Sequence, residues 1–97
     1  MNSQICSSIK ERRIISFKYD GGPRRVEPFC YGRGSKGKEL LRGYQIAGFS
    51  KSGNPVGWKL FDISKILELQ IENVFFIGDR QDYNPKDSAM INIFCNI

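Results

Sequence analysis

From Ile14 to Ile66, apolar and polar residues alternate in short runs that end at glycine-containing turns. A chain written this way is committed to short antiparallel strands. In the first run, Ile15, Phe17 and Tyr19 alternate with Ser16 and Lys18. Asp20-Gly21-Gly22-Pro23 then reads as a turn, because glycine supplies positive φ and proline stops a ladder. The run 24–31 is a second strand, in which Pro28 lacks a backbone donor and marks an edge or a bulge. Residues 32–38, GRGSKGK, read as a flexible cationic loop, and 39–49 as a third strand bent at Gly43 and Gly48. A hairpin loop at 50–55, a strand at 56–61, one helical turn at 62–66 and a strand at 67–71 complete the series. Hairpin-length connections between five short strands indicate a mainly β fold, an Sm-like or SH3-type five-stranded barrel. An OB-like barrel is the alternative.

At 97 residues the chain is one domain. Residues 1–13 read as a short helix capped by Asn2 or Ser3, with Ile5 and Ile9 on one face, 14–77 as the barrel and 78–97 as a tail. The apolar stretch 88–97 fits an added strand, a docking tail or a partner contact equally well. Positive charge is concentrated early: residues 1–45 hold ten Lys/Arg against four Asp/Glu, and residues 46–97 hold five against six. Such an excess favours an anionic partner.

The chain has no histidine, which removes the commonest general base and the usual zinc patterns. Gly32 to Lys38 resembles a phosphate loop in spacing, but Glu39 stands where a Ser or Thr would bind magnesium, and a strand follows instead of a helix. The carboxylate pairs Asp79/Asp82 and Glu68/Glu72 read as solvated surface. The expectation is therefore a binding protein without cofactor or metal, not an enzyme. Cys6, Cys30 and Cys95 are odd in number and widely spaced, which suits reduced thiols in a cytoplasm. No run of transmembrane length and no signal peptide is evident, so no membrane association is expected.

Cations interleaved with aromatics are the strongest site signal. Arg25, Tyr31, Arg33, Arg42, Tyr44 and Lys59 are the candidates, with Phe29 and Trp58 among them. Arginine forks onto phosphate, and aromatic faces stack on bases. On strict alternation Arg42 and Tyr44 share one face of the third strand, opposite Leu41, Gly43 and Gln45. Arg25 and Tyr31 share a face of the second strand if no bulge intervenes.

The ordered set IKERRIISFKYDG, RRVEPFCYG, LLRGYQIAG and KLFDISKI, spanning about residues 9–77, resembles the WYL-domain family. The resemblance implies an Sm-like barrel that senses nucleic acid, often single-stranded, or a nucleotide-like molecule through a basic patch in bacterial or phage regulation and defence. It adds Lys65 to the candidates. Lys59 and Lys65 stand where the family pattern has Arg, Asp62 where it has a basic residue, and Glu39-Leu40-Leu41 where it has Trp-Tyr-Leu. A helix-turn-helix does not fit within the 13 residues before the barrel. Homo-oligomerisation or a regulatory protein partner is the other expected interaction, through edge strands or the apolar stretch 90–97.

Overall fold

The computed structural model describes residues 2–97; Met1, where the expected helical segment begins, lies outside them. Helix α1 spans Ser3–Lys10. Asn2 caps it by accepting hydrogen bonds from the Gln4 and Ile5 N–H groups. Six strands follow: β1 Arg13–Tyr19, β2 Gly22–Arg33, β3 Glu39–Gly48, β4 Gly57–Asp62, β5 Leu67–Phe75 and β6 Asn92–Asn96. A single 3-10 turn, Ile63–Lys65, precedes β5. The strands form one antiparallel sheet in the order β4-β3-β2-β1-β5, with β6 also paired to β2. No ladder joins β4 to β5 among the described residues, so the sheet is not closed. The mainly β expectation holds, but the five strands are six. The extra strand is the apolar C-terminal segment, which adds to β2 rather than standing free.

Strand β2 is the centre of the molecule, and Val26 to Gly32 are buried without a break. Continuous burial replaces alternation because both faces of β2 are covered. On one face α1 lays Ile5 and Ile9 against Ile15, Phe17, Val26, Tyr31, Leu41 and Phe61. On the other, Phe29 packs with Ile14 and Phe76, bordered by Tyr44, Trp58 and Tyr83.

A bulge makes this possible. Pro28 pairs with Gly43 but Cys30 pairs with Arg42, so Phe29 is an extra residue in β2. Gly43 is needed at this bend because a side chain there would collide with Val26. The bulge reverses the alternation downstream and puts Tyr31 on the face opposite Arg25. Tyr31 is fully buried, so the expectation that it stacks on a ligand is corrected. Its hydroxyl accepts from the Asn2 N–H and donates to the Glu39 carboxylate. Burial, then the Glu39 contact, raise its pKa.

The cysteine expectation is corrected as well. Cys6 of α1 and Cys95 of β6 form a disulfide, and only Cys30 is free. Three reduced thiols were the ground for expecting the cytoplasm, and that ground is removed. Burial pushes the Cys30 thiol up to about 11, with the Asp87 charge adding to it. No described helix is long and apolar enough to cross a membrane.

The disulfide joins residues 89 apart, so it restricts nearly the whole unfolded chain. Cys95→Ser is expected to lower unfolding stability by roughly 2–5 kcal/mol. Urea unfolding of the variant against the oxidised protein measures this, and reduction of the parent should give the same loss.

Candidate ligand-binding face

Strand β3 alternates cleanly. Leu41, Gly43 and Gln45 are buried, and Arg42 and Tyr44 are half-buried on the other face. Tyr44 pairs in register with Trp58 of β4, and the rings meet edge-to-face at 5.5 Å. Trp58 also packs edge-to-face on Phe29 at 5.0 Å. Between β5 and β6, residues 76–91 contain no strand or helix and form a strap across this face. The strap contributes Tyr83, stacked on Trp58 with 5.9 Å between ring centres and 20° between planes. It also contributes Arg80, whose guanidinium lies 4.4 Å from the Tyr44 ring centre.

Two ion-pair forks and a hydrogen bond hold the strap. Arg42 donates to Asp87 at 2.7 and 3.2 Å, and Arg80 donates to Glu27 at 2.8 and 2.9 Å. The Trp58 indole N–H donates to the Gln81 carbonyl at 2.8 Å. Both carboxylates are 7% exposed, which makes these pairs far stronger positional constraints than surface ion pairs. Burial pushes the Asp87 carboxyl up, but the Arg42 fork and the Ala89 N–H outweigh it and hold the group below the usual range. The Tyr83 hydroxyl donates to the Ile97 carbonyl at 2.9 Å, and burial pushes its pKa up to about 12. Hollows of about 270 Å³ beside Arg42 and Trp58, and 420 Å³ beside Tyr44 and Arg80, flank the stacked pair.

Of the candidates read from sequence, this face gathers Arg42 and Tyr44 around Trp58. The others lie elsewhere. Arg25 forks onto Glu72 of β5 at 2.7 and 2.9 Å, and Arg33 pairs with Glu39 at 3.5 Å. Lys59 donates to the Asn54 carbonyl at 2.5 Å and to Ser50 at 3.3 Å. Lys65 is exposed on the 3-10 turn and makes no ion pair with the described residues. Arg80, Tyr83 and Asp87 were missed. Asn84-Pro85 signals a loop, but nothing in its composition says which face the loop crosses.

Among the described residues, no group of three or more His, Cys, Asp or Glu side chains is placed to hold a metal ion. No protein-family model matches the chain, and no curated protein or solved structure matches it.

Asp87→Ala leaves Arg42, itself 28% exposed, without its fork and is expected to cost roughly 1.5–3 kcal/mol in urea unfolding. The arginine forks on Asp87 and Glu72, and the Tyr31 hydroxyl on Glu39, also set the acid limb. Asp87, Glu72 and Glu39 are held below their ordinary values when folded, so below about pH 4 the unfolded chain binds more protons. Stability is then full above that pH and falls as pH drops through the folded values. In Asp87→Asn part of this acid loss should be absent, which unfolding curves between neutral pH and pH 3 would show.

Proposed function

We propose that the chain is a ligand-binding module, not an enzyme, that takes a nucleotide-like anion or single-stranded nucleic acid on the Arg42–Tyr44–Trp58 face. A role in regulation or defence accords with the WYL resemblance. The observation that carries the reading is the stacked Trp58–Tyr83 pair set between two guanidinium groups, Arg42 and Arg80, with a hollow on each side. Aromatic planes next to arginine forks suit bases joined to phosphates. The finer fold reading, an Sm-like barrel, is supported by the pairing of β5 with β1 and by the 3-10 turn before β5.

The strap occupies this face in the way a ligand would. Asp87 sits on Arg42 where a phosphate would sit, and the Tyr83 ring lies on Trp58 where a base would lie. Binding is then an exchange: phosphate for carboxylate, base for phenol ring. No covalent step is involved.

Trp58 is the chain's single tryptophan and reports directly on the face. Single-stranded DNA or RNA is expected to quench its emission more than duplex DNA does, and to keep binding near physiological salt. Tyr44→Ala is expected to weaken binding about tenfold, the effect of losing one stacking surface. Binding of every probe alike, lost on adding salt, would reduce the effect to counterion release and overturn the reading.

A second reading, assembly with another copy or a regulatory protein, is favoured by one observation. Among the described residues strand β5 pairs only with β1, leaving its other edge unpaired, and Leu67, Val74, Phe75 and Ile77 are exposed on or just after it. It predicts a dimer in sedimentation at micromolar concentration and a monomer after Phe75→Lys.

A further inference from the structure

Arg24 is the only buried arginine among the described residues, at 4% exposure, and it has no carboxylate partner there. Its neighbours in charge are treated differently: Arg25, Arg42 and Arg80 each fork onto an acid. Arg24 Nη1 donates to Gln45 Oε1 at 3.2 Å and Nη2 to the Tyr19 carbonyl at 3.1 Å, both neutral acceptors. A guanidinium carries five N–H groups. Nε has no hydrogen-bond partner among the described residues. The rings of Tyr19, Phe49 and Phe61 surround the cation at 5.4, 5.4 and 5.9 Å. Ring faces offset part of the cost of burying a charge, but they do not supply a counter-ion.

What surrounds Arg24 is a place for one. Arg24 pairs with Gly48, so the turn after β1 and the loop after β3 meet at one end of the sheet. There they enclose a pocket of about 180 Å³ lined by Arg24, Lys51, Lys59, Ser50, Ser52 and Asp20, with rings and Leu60 as walls. Three cations against one carboxylate leave the lining at net +2, and Asp20 makes no ion pair with any of the three. Polar groups gather at the pocket: the Ser50 and Ser52 hydroxyls bond each other at 3.0 Å, and Lys59 Nζ donates to Ser50 Oγ at 3.3 Å and to the Asn54 carbonyl at 2.5 Å.

We propose that this pocket binds a phosphate group, with Arg24 as its buried counter-charge, Lys51 and Lys59 as flanking cations and the two serine hydroxyls as donors. Donors arriving from several directions match a tetrahedral oxyanion better than a planar carboxylate. The volume is below the roughly 300–1,000 Å³ of sites that enclose a whole drug-sized ligand, so the pocket takes the phosphate and leaves the remainder of any ligand outside. Lys59 and Trp58 are successive residues of β4 and point to opposite faces, so this site is separate from the Trp58 face and stands or falls without it.

The test is an NMR titration of the ¹⁵N-labelled chain with sodium phosphate at constant ionic strength, chloride being the balancing anion. The expected result is saturable shifts of the Arg24 Nε–H and of the backbone amides of residues 50–53. Lys51→Ala combined with Lys59→Ala should weaken binding at least tenfold while the rest of the spectrum stays that of the folded chain. Arg24→Met should abolish binding; if that variant unfolds, the lysine pair still decides. Competition by a nucleoside 5′-monophosphate would assign the site to a phosphomonoester, and its failure to compete would assign it to free phosphate. Shifts that never saturate, an affinity the lysine pair leaves unchanged, or equal binding of acetate would each overturn the proposal.

Discussion

Burial of β2 on both faces is the constraint on which the rest of the molecule rests. A strand covered on one side only would need one apolar set. This one needs two, and Phe29 in the bulge and Tyr31 beyond it supply them, one to each face. Pro28, which lacks a backbone donor, is accommodated beside the bulge, and Gly43 leaves the space over Val26 that the bend requires. Helix α1 then covers one face and the strap the other. The strap is therefore the second cover of the core, and the aromatic face it crosses is built partly from it.

The charge distribution follows from the same arrangement. A net charge of +5 and an early cluster of arginines suggest a broad basic surface. In the fold, five of those six arginines pair with carboxylates, three of which arrive from distant segments: Glu72 on Arg25, Asp87 on Arg42, and Asp79 on Arg12. These pairs fix where β5 and the strap lie relative to β2 and β3. Composition counts charges without showing which are already matched. The mismatch between a basic sequence and a largely paired set of arginines is what makes the unpaired Arg24 conspicuous.

Local chemistry made much of the fold legible. Ile15, Phe17 and Tyr19 gave β1, Asp20-Gly21 gave the turn, although Gly22 and Pro23 lie in the β1–β2 ladder instead of stopping it, and Asn2 gave the cap, because each of these signals acts within a few residues. Alternation also placed Arg42 and Tyr44 correctly on β3, which has no bulge between them. The same rule failed for Tyr31, since one extra residue in β2 moves every later side chain to the other face. Pro28 marked where this would happen but not whether it would. The segments that could not be read are those set by long-range partners: the pairing of β6 with β2, the union of Cys6 with Cys95, and the course of residues 76–91 over Trp58. Their sequences are short, irregular or polar, and nothing in them names a partner far away in the chain.

The Cys6–Cys95 bond makes the intervening chain a closed covalent ring. A ring has no free end to peel from the surface. The strap is held by β5 on one side and by β6 on the other, so it can leave the Trp58 face only by bowing outward as a loop, with its two anchors in place. A single backbone cut inside the ring, at the 34–38 turn or in the strap itself, would leave both pieces in one molecule. Such a nick would give the strap two loose ends without separating it from the protein, turning a hinged cover into an open one while the mass of the protein rises by only one water.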